Sequence, residues 1–223
     1  MNKSRPLFSS YVSCGLLTLL AFLSTDVSAT RYYVKSSASG TNAGLSWTNA
    51  YTSLQSAISV AVSGDSIWVA AGTYKPSIYP AGATGIDARD HSFYLGGVHL
   101  YGGFAGVETT LAARDYATNV TILSGDIGTN NCYHVVVSVN DSTAAGTLDG
   151  FTVTGGNANG TGTPLTVNGK SLDRRDGGGM YNDNSSPKIT NTTFSENTAS
   201  FRGGGMLNYS SSPTITNTTF SEN

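Results

Sequence analysis

The chain has 223 residues, only 12% of them charged, with 12 Lys and Arg against 14 Asp and Glu and a formal net charge of -2. That balance excludes a nucleic-acid binder, which carries a basic patch, and the excess of Ser, Thr, Asn and Gly excludes a helical bundle. With 12 Tyr, 8 Phe and regularly spaced Val and Ile to bury, ordinary disorder is excluded too, and a β-rich, turn-rich extracellular protein is expected.

Lys3 and Arg5 open a positive n-region, an apolar run follows at 12–23, and Val27-Ser28-Ala29 supplies a small-x-small cleavage pattern. Residues 1–29 therefore read as a secretory signal peptide, with the mature chain starting at Thr30. No stretch reaches the roughly 20 apolar residues of a membrane span. Cleavage leaves Cys132 as the single cysteine, so no internal disulfide can form, and Cys132 reads as a small buried hydrophobe.

Residues 30–75 form an N-terminal cap and first coil. The stretch 31–35 (RYYVK) predicts a strand, and Thr52 with Gln55 makes a capping-box pattern. Leu54, Ala57, Ile58 and Ala61 then follow at helical spacing, Ser63-Gly64-Asp65 ends the helix, and 67–70 (IWVA) is a buried strand. One amphipathic helix ahead of many strands is expected to cover the open end of a core. Further strands are predicted at 91–95, 98–101, 120–123, 133–139 and 148–154, divided by Gly, Asn or Asp turns.

The strongest signal is internal repetition. Residues 177–197 (GGGMYNDNSSPKITNTTFSEN) and 203–223 (GGGMLNYSSSPTITNTTFSEN) are identical at 17 of 21 positions, with a period of 26. Such a period means stacked coils. Pro187 and the triple Gly exclude helical repeats, which leaves short strands and turns. The predicted fold is all-β: a right-handed parallel β-helix solenoid over 76–223 with its clearest repeats at 177–202 and 203–223. Met180, Ile189 and Phe194 should point inward, with Met206, Ile215 and Phe220 stacked on them one rung on. Asn191 over Asn217 should form an amide ladder. A weaker copy at 148–158 aligns Leu148 with Ile189 and Val153 with Phe194, which places extra residues in a projecting loop at 160–174. The sequence stops in mid-repeat, so the solenoid is expected to be incomplete at its C-terminus, with an anchor or sorting module beyond.

These motifs resemble known families. Gly178-Gly179-Met180 and Gly204-Gly205-Met206 are similar to the Gly-Gly-x-aliphatic element of polymorphic outer membrane protein repeats, except that Met stands where Ile, Leu or Val is usual. Phe194-Ser-Glu-Asn197 and Phe220-Ser-Glu-Asn223 resemble their Phe-x-x-Asn element. The stretches 67–74, 100–106, 121–128 and 148–158 resemble secreted bacterial β-helix proteins of the pectate-lyase-like superfamily. The resemblance implies an adhesin, a surface protein or a polysaccharide lyase.

Near-identical rungs suit a repetitive surface, whereas an active site needs distinct residues on particular coils. The expected function is adhesion or envelope structure at the bacterial cell surface, with host or cell-surface glycans or proteins as partners. The alternative is a polysaccharide lyase acting through the charged stretch Lys170, Asp173, Arg174, Arg175 and Asp176, with Lys170, Arg174 and Arg175 as catalytic candidates. Calcium would be a cofactor only in that case; otherwise none is expected. Tyr181 and Tyr209, with Trp47, are candidates for stacking on sugars. His91, His99 and His134 lack metal-ligand spacing, and Asp126 and Asp149, each beside Gly, read as turn residues.

Overall fold

The structure, a computed structural model, describes residues 1, 28–84, 86–141 and 145–223. The expected leader at 1–29 lies almost wholly outside the described residues. Among the described residues strand dominates, one α-helix spans Leu54–Val60, and the sheets close into no barrel. Three sheets carry the fold. A six-stranded sheet holds Arg31–Val34, Ser66–Ala70, His99–Phe104, Thr147–Asp149, Lys188–Thr190 and Thr214–Thr216 in that spatial order. A five-stranded sheet holds Gly72–Tyr74, Thr121–Ser124, Thr152–Thr154, Thr193–Ser195 and Thr219–Ser221. A four-stranded sheet holds Phe93–Tyr94, Val136–Val139, Met180–Asp183 and Met206–Tyr209. Every pairing within these three sheets is parallel. From residue 147 onward the chain visits the six-, five- and four-stranded sheets in turn.

Register follows the repeat. Met180 pairs with Met206, Ile189 with Ile215 and Phe194 with Phe220, each 26 residues on. The weaker copy joins the same ranks, with Leu148 beside Ile189 and Val153 beside Phe194. Strand alternation turns one side chain in two toward a shared core, where Leu100, Leu123, Phe93, Val136, Leu148, Val153, Met180, Ile189 and Phe194 are all fully buried. Each such burial contributes about 1.5–3 kcal/mol. The strands of 203–223 are outermost in their sheets, so Ile215 is 43% and Phe220 46% exposed.

The predicted 148–154 strand divides at Gly150, whose φ of +82° turns the chain from one sheet to the next. Asn191 and Asn217 make the equivalent corners at φ +48° and +47°. Asn tolerates that left-handed conformation better than most residues, which explains its recurrence. Asn217 Nδ2 donates to Asn191 Oδ1 at 2.7 Å, and Asn191 Nδ2 donates to Asp149 Oδ1 at 2.8 Å.

The helix buries Leu54 and Ala57 against the main core, but its start differs from expectation. Ser53, not Thr52, occupies the cap and makes no side-chain bond there. Gln55 closes no capping box: its Nε2 reaches across the chain to the carbonyls of Ser92 (3.1 Å) and Ile78 (3.4 Å). The helix also ends early, at Val60. Asp65 serves the neighbouring turn and strand, accepting from the amides of Val62 (2.9 Å) and Thr30 (2.7 Å).

Candidate functional site

The extra residues at 160–174 are not an irregular loop. Leu165–Val167 and Lys170–Leu172 form an antiparallel hairpin, joined on its far side by Ala83–Thr84. Leu165, Val167 and Leu172 pack on Val137, Val139 and Tyr181 of the four-stranded sheet's outer face, making a second, smaller core. Alternation explains the second core: Val136 and Met180 point inward, so Val137 and Tyr181 point outward and need a cover.

A buried ion pair fixes the base of the hairpin. Arg174 donates from Nε to Asp90 Oδ1 (2.9 Å) and from Nη2 to Asp90 Oδ2 (2.5 Å), and from Nη1 to the carbonyl of Thr163. The Asp90 side chain is fully buried and that of Arg174 is 8% exposed. Tyr133 carries the Arg89 guanidinium on its ring at 4.1 Å, and Arg89 donates to the carbonyls of Asn131 (2.6 Å) and Asn157 (2.7 Å). Asp90 and Arg89 lie more than 80 residues before Arg174. Nothing local in the sequence marked Asp90 as the partner of Arg174.

The three catalytic candidates are all engaged with carboxylates. Arg174 pairs with Asp90, Arg175 with Asp173 at 2.6 Å, and Lys170 lies 3.3 Å from Asp183. Asp176 pairs with Arg202 at 2.7 Å. Of these pairs, Arg174–Asp90 and Lys170–Asp183 tie the hairpin to the coils. Its side-chain hydrogen bond to Asp90 holds the Arg174 guanidinium above its ordinary range, the reverse of what a proton-abstracting base needs.

Of the two aromatic candidates, Tyr181 is withdrawn from solvent. It is 3% exposed within the second core, and burial pushes its phenol up to about 12. Alternation placed it outward, but the hairpin covers that position. Tyr209, one strand further on, is 53% exposed. Trp47 is half-buried, edge-on to Tyr33 at 4.8 Å, with its indole N–H donated to the Glu108 carbonyl at 2.8 Å. The structure therefore gives Trp47 a packing role.

Between the hairpin edge and the outer face of the sheet runs a groove of about 400 Å³ lined by Pro164, Lys170, Asp173, Asp183, Arg202 and Tyr209, with Tyr181 beneath. Asp183 is only 4% exposed, yet its Oδ1 accepts no hydrogen bond. Lys170 Nζ stands close enough for charge attraction but off the line that a hydrogen bond requires.

Asp126 does serve a turn, accepting from the Gly128 amide at 3.0 Å while also pairing with Lys75. Asp149 is different: it forms a nearly buried ion pair with Arg114 at 2.6 Å and anchors the Asn191–Asn217 ladder. His91 lies against Tyr79, and His99 Nδ1 is 3.0 Å from Thr147 Oγ1. Cys132 is buried, which pushes its thiol up to about 12. Among the described residues no His, Cys, Asp or Glu group has metal-binding geometry, and no helix is long and apolar enough to cross a membrane.

His134 is fully buried behind Tyr181, with the rings 5.2 Å apart. The Gly177 carbonyl, 3.1 Å from Nδ1, can only accept, so Nδ1 carries the proton and Nε2 is left without a partner. Burial lowers the pKa of His134 below its ordinary 6.5, outweighing the Gly177 bond and the Asp90 and Asp176 carboxylates, which act the other way. As pH falls through about 6.5 the unfolded chain binds a proton that the folded chain refuses, so stability held above that pH is lost below it. His134→Asn, which keeps a donor for Gly177, should flatten the fall in urea midpoint between about pH 7 and 5. An unchanged slope would remove His134 from that role.

No family model, curated protein or solved structure matches the chain.

Proposed function

We propose that the chain is a right-handed parallel β-helix protein, exported by its leader to the bacterial cell surface, where its repetitive face serves adhesion or envelope structure. One observation carries this reading: the 26-residue step sets like side chains side by side along the outside. Thr193 pairs with Thr219, Ser195 with Ser221 and Thr190 with Thr216, while Asn191 lies over Asn217. Thr152 extends the Thr193 rank toward the N-terminal end. Thr152, Thr193 and Thr219, with Asn191 and Asn217, line one polar trough of about 260 Å³. A periodic surface of neutral hydrogen-bonding groups can hold a partner at several rungs at once, and multivalency then multiplies modest single contacts. The cyclic visits to three parallel sheets support the β-helix itself, and parallel ladders tolerate such stacking because each rung pairs with the next.

The test is adhesion in a defined setting. Beads coated with the mature chain should attach to fixed cell layers or purified envelope, and beads coated with the chain after urea unfolding should not. Attachment no better than that of albumin-coated beads would reject the proposal. Incubation with pectate, alginate or chondroitin should give no unsaturated-uronate absorbance; turnover abolished by Lys170→Ala would favour a lyase instead.

A further inference from the structure

We infer that the groove between the hairpin and the outer face of the four-stranded sheet binds an uncharged saccharide unit, with the Tyr209 ring as its platform and the Asp183 carboxylate as its hydroxyl acceptor. The inference rests on the adhesion reading and names the ligand class for one site. Asp183 and Tyr209 are register partners on adjacent strands, so they stand about 4.8 Å apart on the same face. The ring is 53% exposed, whereas the carboxylate is 4% exposed with an Oδ1 that accepts nothing. A buried acceptor is normally satisfied, and Asp183 is one of the residues that line the groove.

A pyranose fits both features. Its C–H face is apolar enough to lie on an aromatic ring, and its rim of hydroxyls donates to a carboxylate. The charges lining the groove decide which saccharide. Lys170 faces Asp183, Arg202 pairs with Asp176, and Arg175 pairs with Asp173. Among the described residues the cations lining the groove, Lys170 and Arg202, each already face a carboxylate, and an anion brought there would meet Asp183 and Asp173. An extended peptide is a poorer occupant, because the hairpin edge that walls the groove, Lys170–Leu172, is three residues long. That offers too little backbone for strand addition.

The probes are maltotriose, cellotriose and tri-N-acetylchitotriose, with trigalacturonate as the charged comparison, read by saturation-transfer NMR on the mature chain. At least one neutral trisaccharide should show transfer. Its affinity should fall about tenfold in Tyr209→Ala and persist in Tyr209→Phe, which keeps the ring. Tyr209 is exposed, so neither variant threatens the fold. Asp183→Asn, nearly isosteric, should weaken binding as well. Transfer from none of the neutral sugars, equal affinity in Tyr209→Ala, or preference for trigalacturonate would overturn the inference. Bead attachment with and without the bound trisaccharide separates the two readings. Attachment that persists while none of the neutral sugars shows Tyr209-dependent transfer overturns the groove and leaves adhesion standing. Sugar binding without any attachment does the opposite.

Discussion

Asp90→Asn is expected to lower the unfolding free energy by about 3–5 kcal/mol, the usual result of removing one partner from a buried ion pair. The Arg174 guanidinium would keep its place, 8% exposed, without the carboxylate that now takes two of its N–H groups. The Asp87 amide, 2.5 Å from Asp90 Oδ2, would lose part of its acceptor too. Typical domains hold only about 5–15 kcal/mol in total, so the loss is a large share. Urea unfolding measures it, and amide exchange locates it: protection should drop most at Leu165–Val167 and Lys170–Leu172, which Arg174 holds down. A change under about 1 kcal/mol would show that the pair does not anchor the hairpin. Replacing both partners with apolar residues, Asp90→Leu with Arg174→Met, should recover much of the loss, because two desolvated charges disappear together.

Phe194→Ala should cost about 3–5 kcal/mol, the range for deleting a fully buried aromatic ring. Phe194 has no exposed surface, lies between Val153 and Phe220, and stacks on the latter at 4.9 Å with planes 6° apart. Phe220→Ala makes the control. It is the same residue at the same repeat position, but 46% exposed, so its loss should be nearer 1 kcal/mol. Equal effects in urea unfolding would mean that the sequence repeat, rather than position in the stack, sets the energetics.

The ranks of like residues were legible because the repeat is nearly perfect: a period of 26 and alternation within short strands put Met180, Ile189 and Phe194 where they stand. Asn191 was legible as a corner for the same reason, whereas Gly150 was not, because 148–154 read as one continuous strand. The hairpin was not. Its strands are three residues each, and Thr166 and Ser171 are ordinary loop residues, so only the outward apolar side chains Val137 and Val139 hint that something must cover them. The site chemistry was legible by residue type and not by partner. Lys170, Arg174 and Arg175 stood out as charges in a neutral chain, but pairing Arg174 with Asp90 requires contact across 84 residues. Gln55 failed through a local rule overridden by a distant one, since two carbonyls at Ile78 and Ser92 outcompete a helix cap.

The near-identity of the last two copies creates a problem of counting for the folding chain. Residues 203–223 could lay themselves directly on the strand at Thr147–Asp149, looping out one whole unit, and loop entropy would oppose this by only about 0.4 kcal/mol. The error is discriminated by the few positions where the copies differ. Three of those four are joints with structure that does not repeat: Tyr181 under the hairpin, Asp183 beside Lys170, and Asn184, whose amide donates to Asn140 at 2.9 Å. In the skipped arrangement Leu207, Tyr209 and Ser210 would occupy those places, with no carboxylate for Lys170 and no amide for Asn140. The mismatched letters of the repeat thus act as an address, telling each copy which rung it is.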